Sequence, residues 1–207
     1  LDGSSGGASK ADGALLPMAE GNSWSYQVTE DGVVTTKTTT VGALEAVGGS
    51  GPHKDEQAFK VTTMKKDGTD KTESWQYAEA ERVLRYRELS YSASTGELSL
   101  EEHWDPDKLH VDWTAEHTAE GASWLEIYEE TKLPTGGTES TAESRDRWTV
   151  QEVGAEITVP AGTFDDAIVF TKAGGSTSKT YWYVPGVGKV KESGGQVEEL
   201  TDWEVGS

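Results

Sequence analysis

Cysteine is absent from the 207 residues, which excludes disulfides and thiolate metal sites. Long apolar runs are absent as well, and nothing approaches the roughly twenty residues that cross a bilayer as a helix. Basic side chains are scarce: 18 Lys and Arg stand against 37 Asp and Glu, for a formal charge of −19. A surface this negative repels nucleic-acid phosphates and anionic lipid head groups, so nucleic-acid binding is excluded. Leu1–Gly13 has neither the basic start nor the apolar middle of a signal peptide. It is Gly/Ser/Asp-rich without periodicity, the composition of a flexible tether.

What is present points to β-structure. Apolar residues make up only 34% of the chain, yet eight Trp, seven Tyr and three Phe supply bulky core material. Trp24, Tyr26 and Val28 alternate with Ser25, Gln27 and Thr29, a period of two with one apolar face. Asp31-Gly32 then signals a hairpin into the Thr-rich Val33–Val41. Asp67-Gly68 gives a second hairpin ahead of Trp75 and Tyr77. In Arg82–Tyr91, Leu84 and Tyr86 fall on one face but Leu89 and Tyr91 on the other, which places a bulge near Arg87; a short helix from Ala78 is the weaker reading. Leu98–Trp104 and Leu109–Trp113 read as two strands about an Asp105-Pro106-Asp107 turn. Trp124–Tyr128, Trp148–Val153, Glu156–Val159, Ala167–Thr171, Thr180–Val184, Val187–Lys191 and Val197–Val205 complete the set. About a dozen short strands joined by Gly/Pro turns, with no room for helical crossovers, predict an all-β fold. The expectation is a tether over residues 1–13 and one antiparallel domain over 14–207, a strongly curved sheet or open half-barrel of ten to twelve strands.

No catalytic motif emerges. There is no Gly-x-Ser-x-Gly elbow and no phosphate-loop spacing, and acidic pairs such as Glu101-Glu102 and Glu198-Glu199 are too common to single out a glycosidase. His103, His110 and His117 are spaced by seven, which alternates faces in a strand, so the histidines are read as solvated rather than as a zinc site. Asp105, Asp107 and Asp112 offer oxygens to Ca²⁺ but lack the loop glycine and terminal Glu of an EF-hand. Neither an enzyme, a metal nor a cofactor is expected. The aromatics are the informative set. Trp75, Tyr77, Tyr86, Trp104, Trp113 and Trp182 are the candidates for a concave ligand face holding an apolar or sugar molecule, with Arg85, Arg87 and Glu88 at its rim.

Two stretches carry a family resemblance. Gly21-Asn22-Ser23-Trp24-Ser25-Tyr26, after Leu15-Leu16-Pro17, resembles the Gly-Asn-x-Trp-x-Tyr opening of a group of exported bacterial proteins. Val159-Pro160-Ala161-Gly162-Thr163-Phe164, then Tyr181-Trp182-Tyr183 and Gly186-Val187-Gly188-Lys189-Val190-Lys191, resembles the end of the same proteins. That group comprises lipoproteins and periplasmic proteins without an established activity, similar to the curved half-barrels of periplasmic lipoprotein carriers. The resemblance implies an extracytoplasmic, non-enzymatic lipoprotein-type module in its mature form, held to a membrane only through a lipid anchor outside this sequence. Its partner would be a hydrophobic ligand or a protein. A structural subunit docking by a Thr-rich edge strand and a carbohydrate-binding module are the alternatives.

Overall fold

The computed structural model describes residues 13–175 and 177–206; apart from Gly13, the tether reading lies outside them. Twelve strands follow one another: β1 (Ser23–Glu30), β2 (Val33–Ala46), β3 (Gln57–Lys65), β4 (Asp70–Glu79), β5 (Arg82–Tyr91), β6 (Leu98–Asp112), β7 (Ser123–Pro134), β8 (Ser140–Val159), β9 (Gly162–Gly174), β10 (Thr177–Val184), β11 (Gly188–Ser193) and β12 (Val197–Glu204). The one helical turn among the described residues is a 3₁₀ turn, Lys66–Gly68, between β3 and β4. Each strand pairs antiparallel with its chain neighbours, and the expected curved sheet goes on to close, β1 pairing with β12 from Ser23↔Glu204 to Thr29↔Val197. Closure removes the free edge that the Thr-rich β2 was expected to offer for docking: it is paired on both flanks.

The turn chemistry works as the sequence suggested. Asp31 and Gly32 both take positive φ (49° and 79°), the requirement of a two-residue hairpin whose twist matches its strands. A bulge falls in β5 near Arg87: against β4, Gln76 faces Arg85 and Trp75 faces Arg87, which leaves Tyr86 over, and against β6, Arg85 faces Lys108 and Arg87 faces His103. The same pairing corrects the reading of Asp105-Pro106-Asp107. Residues 104–107 lie opposite Tyr86 alone, so these residues are a wide bulge within one continuous β6 rather than a turn. Proline cannot donate to a ladder and is tolerated inside strands at such places. Likewise Trp148–Val153 and Glu156–Val159 belong to one twenty-residue β8, bent by register shifts on either side of Gly154.

A twelve-stranded barrel is wider than the eight-stranded barrels that side chains can fill, and its two ends differ. At one end the main core gathers Trp24, Val41, Val61, Val83, Val111, Val150, Phe170, Val184 and Leu200. The lead-in to β1 plugs this end: Leu15 and Leu16 are buried, the Gly186 amide donates to Ala14 O (2.9 Å), and Asn22 Nδ2 donates to Pro17 O (3.0 Å). The two motifs that carried the resemblance meet here. Trp24 Nε1 donates to Val187 O (2.6 Å) and Tyr26 OH to Lys189 O (2.9 Å). A Cβ on Gly188 would lie 2.6 Å from Trp24 Nε1, so only glycine admits the indole.

Outside the barrel, the 47–56 segment folds over β4 and β5. It buries a smaller cluster of Val47, Ala58, Trp75, Tyr86 and Leu89.

Candidate functional site

Above the plug the interior encloses a cavity of about 430 Å³, within the range of small-molecule sites. Its floor is apolar, with Leu16, Met18, Val41, Val61 and Leu109; its walls are polar. Seven cationic side chains line it (Lys37, Lys65, Arg85, Lys108, Lys172, Lys179 and Lys189) against four carboxylates (Glu88, Asp146, Glu192 and Glu198). In a chain where acids outnumber bases two to one, the cavity reverses the sign. Lys65 and Lys179, at the ends of β3 and β10 remote from the plug, mark its mouth.

The charges form two clusters. In the first, Lys37 Nζ lies 2.6 Å from Glu198 Oε2, Lys189 lies 2.8 Å from the same oxygen and also meets Glu192, and Lys179 lies 2.6 Å from Glu192 Oε1. Burial is the largest single influence and opposes ionisation of both carboxyls, but the cations together outweigh it: Lys189, with Lys179 and Lys37 at Glu192 and with Lys37 at Glu198, holds both well below the usual carboxylate range. Lys189 gains in return: burial opposes its charge, and Glu192 and Glu198 more than restore it. Lys37 has the smaller share. Burial and the repulsion of Lys189 push it down to about 8.

The second cluster lies across the cavity. Asp146 accepts from Lys172 (2.6 Å) and Tyr128 (2.9 Å); Arg85 Nη1 reaches Glu88 (3.1 Å); Lys108 lies 3.4 Å from Glu130 and over the Trp104 and Tyr128 rings. Arg85 Nη2 donates to His110 Nδ1 (2.9 Å). A guanidinium can only donate, so the imidazole is neutral and carries its proton on Nε2. Burial, then Arg85 and the lysines around it, hold His110 well below the ordinary histidine value.

The wall is incomplete beside this cluster. β6 and β7 are laddered only between Leu100↔Pro134 and Asp105↔Glu129. Beyond Pro106 they part, and the Glu126 carboxylate accepts the Leu109 amide in place of a backbone partner.

None of the six aromatic candidates lines the cavity. Trp75 and Tyr86 are in the outer cluster, and Tyr77 stacks on Tyr86 at the surface (5.9 Å). Trp104 is buried, with its indole N–H on Glu130 (3.0 Å). Trp113 packs against the main core. Trp182 lies under Lys191, opposite to Tyr181 and Tyr183, which do face the cavity. Of the rim residues, Arg85 and Glu88 reach the interior, while Arg87 pairs with Glu101 outside (2.9 Å). The histidines do not converge, nor are they all solvated. His53 stacks on Tyr86 (4.1 Å), His110 is interior, and His117 pairs with Asp112 (2.8 Å) while stacking on Trp124. Among the described residues no group of three His, Asp or Glu side chains is placed to hold a metal ion, Asp105 and Asp107 included.

Sequence reasoning missed the interior charges, although a signal existed. The Asp31-Gly32 hairpin pairs Glu30 with Val33 and so Tyr26 with Lys37; a lysine opposite an inward tyrosine must also point inward.

Two solved structures share this fold. One is a "putative exported protein with YmcC-like fold" from Bacteroides fragilis (TM-score 0.55, 12% identity, 93% of this chain and 99% of that one). The other is a "putative lipoprotein" from Parabacteroides distasonis (TM-score 0.51, 13% identity, 93% and 99%). No protein-family model matches the chain, and no curated protein matches its sequence.

Proposed function

We propose that this chain is a non-enzymatic, extracytoplasmic module of lipoprotein type that binds a small molecule inside its barrel. The cavity carries the reading: it is of ligand size, closed below by Leu15–Pro17, and lined by inward charges that a purely structural interior would replace with apolar packing at no loss of stability. The two solved structures of this fold, with the names they bear, support placement outside the cytoplasm. An outer wall presenting Thr38, Thr40, Arg145, Arg147, Glu199 and Asp202 lacks the apolar band of a membrane-spanning barrel. Against catalysis stands the use already made of each candidate. His110 Nδ1 is occupied by Arg85, and Asp112, which orients His117, also caps the Thr114 amide and hydroxyl.

Polar walls favour a polar ligand over the apolar one suggested by the aromatic count. The Trp side chains are buried or half-buried, so a surface platform of stacked rings for polysaccharide is not available either. Native mass spectrometry of the protein purified from its own source tests the reading. A co-purified small molecule is expected, and the stripped barrel should melt several degrees higher when it is returned. A barrel that carries no adduct, and whose melting is unmoved by small-molecule extracts of its own envelope, would overturn the proposal.

A further inference from the structure

Each carboxylate on the cavity wall already has a cation within 3.1 Å: Glu88 has Arg85, Asp146 has Lys172, Glu192 has Lys179 and Glu198 has Lys37. What is unspent is donors. Tyr183 is 1% exposed and faces the cavity, as Tyr181 does one pleat away. Neither hydroxyl has a hydrogen-bond partner among the described residues. Burial raises both phenols far above the tyrosine range, so they remain O–H donors throughout the physiological range. His110, with Nδ1 taken by Arg85, has an Nε2 proton to give, and part of its ring faces the same space. Arg85 and Lys189 lie close enough to act electrostatically on both tyrosines and on His110 together. Arg85 Nε is itself buried without a partner, an uncommon state for a charged donor.

From these groups we infer that Arg85, His110, Tyr181 and Tyr183 form a recognition site for an oxyanion, a carboxylate or phosphate, carried on a hydroxylated frame such as an acidic sugar. The inference rests on the cavity being a ligand site and names the class of ligand. The hydroxylated frame follows from the wall above the donors, where Thr39, Thr63, Thr72, Ser74 and Gln76 offer hydroxyl and amide groups instead of apolar surface. Thr39 already bonds Thr63 and Gln76 bonds Ser74, and an alkyl chain there would leave the remaining donors and acceptors of these groups unmet. A sugar hydroxyl can both donate to and accept from each.

Isothermal titration calorimetry with D-glucuronate, glucose 6-phosphate, glucose, inorganic phosphate and decanoate tests it. At least one of the two anionic sugars should bind tenfold or more tightly than glucose, and tighter than phosphate alone; which of the two binds better distinguishes carboxylate from phosphate. R85M should remove that preference. Y183F is the sharper variant because its hydroxyl holds no protein group: the melting temperature should be unchanged while the anionic sugar binds several-fold more weakly. Glucose binding as well as its anionic forms, phosphate alone binding as well as the sugars, or R85M binding unchanged would each overturn the inference. Decanoate binding more tightly than both anionic sugars would overturn it too, while leaving the barrel a ligand carrier. Silence from every probe would also overturn it and leave the native mass measurement to judge the broader reading.

Discussion

The lysine–glutamate cluster of the cavity holds three cations against two carboxylates, and this asymmetry predicts an order of mutational damage. Glu198 is 2% exposed and is shared by Lys37 and Lys189; Lys189 also meets Glu192. Changing Lys189 to Met leaves two cations and two carboxylates, one partner each: Lys37 on Glu198 and Lys179 on Glu192, both at 2.6 Å. Changing Glu198 to Gln leaves three cations facing one carboxylate and strips Lys37 of its partner. Removing one member of a buried ion pair costs about 3–5 kcal/mol when the other charge is left unpaired. E198Q should therefore lose about that much, and K189M distinctly less, although lysine is the larger and more highly connected side chain. Equilibrium urea unfolding at pH 7 measures both, with the m-value as a check that the transition stays two-state. If K189M costs as much as E198Q, or E198Q costs under about 1 kcal/mol, the cluster is not balanced as described. The acid limb gives a second reading of the same network. Glu192 and Glu198 titrate lower in the folded barrel than in the unfolded chain. Between those limits the unfolded state binds more protons, so their contribution is intact above about pH 4.5 and drains away as the pH falls further.

His110 predicts an earlier acid phase. The unfolded chain protonates it below about pH 6.5 while the folded barrel keeps it neutral, so stability should fall toward pH 5 at up to about 1.4 kcal/mol per pH unit. Chemical denaturation across this range should show the slope in wild type and lose it in H110Q; an equal slope in both refutes the assignment. G188A adds a Cβ against Trp24 at a φ of 116° and should cost more than the roughly 1–3 kcal/mol of backbone strain alone. G154A, at positive φ with open space around it, isolates that strain, and equal melting temperatures for the two would refute the close approach. E126A removes the acceptor that holds the Leu109 amide at the parted wall. Hydrogen exchange should speed up at Leu109 and its β6 neighbours, while the β11–β12 amides stay protected. Unchanged exchange at Leu109 would show that another group satisfies it.

How much could be read in advance depends on what each strand turns inward. β1 was legible because its inward side is Trp24, Tyr26 and Val28, and the period of two is plain. Ser140–Arg147, the first part of β8, was missed because its inward side carries Ser144 and Asp146, which look like outward ones. The Asp105-Pro106-Asp107 bulge reads as a turn in the sequence because both demand the same residues. The β5 bulge is legible because Leu84 before it and Leu89 and Tyr91 after it display the change of face, although Tyr86 falls with Leu89 outside rather than with Leu84. The choice of aromatics for the ligand face came from the same habit of equating apolar with inward: Trp75, Tyr86 and Trp182 face away from the cavity, whose wall mixes other aromatics, Tyr26, Tyr181 and Tyr183 among them, with lysines.

Register is the information that repairs this. A two-residue turn pairs residues whose numbers sum to a constant, so Asp31-Gly32 sets Tyr26 against Lys37 before any coordinates are known. The Pro185–Val187 turn does the same for Tyr183 and Lys189, before a bulge shifts the register at Trp182. Both lysines then share a face with a tyrosine, Tyr26 on the apolar side of β1 and Tyr183 on β10, and two cations inside one barrel require acids. Only β11 and β12 are near enough to supply them, through Glu192 and Glu198, which sit directly across from one another. The charged cavity was thus implicit in hairpin arithmetic and one aromatic per strand, whereas hydrophobicity, which locates cores, could not locate the charged walls above an apolar floor.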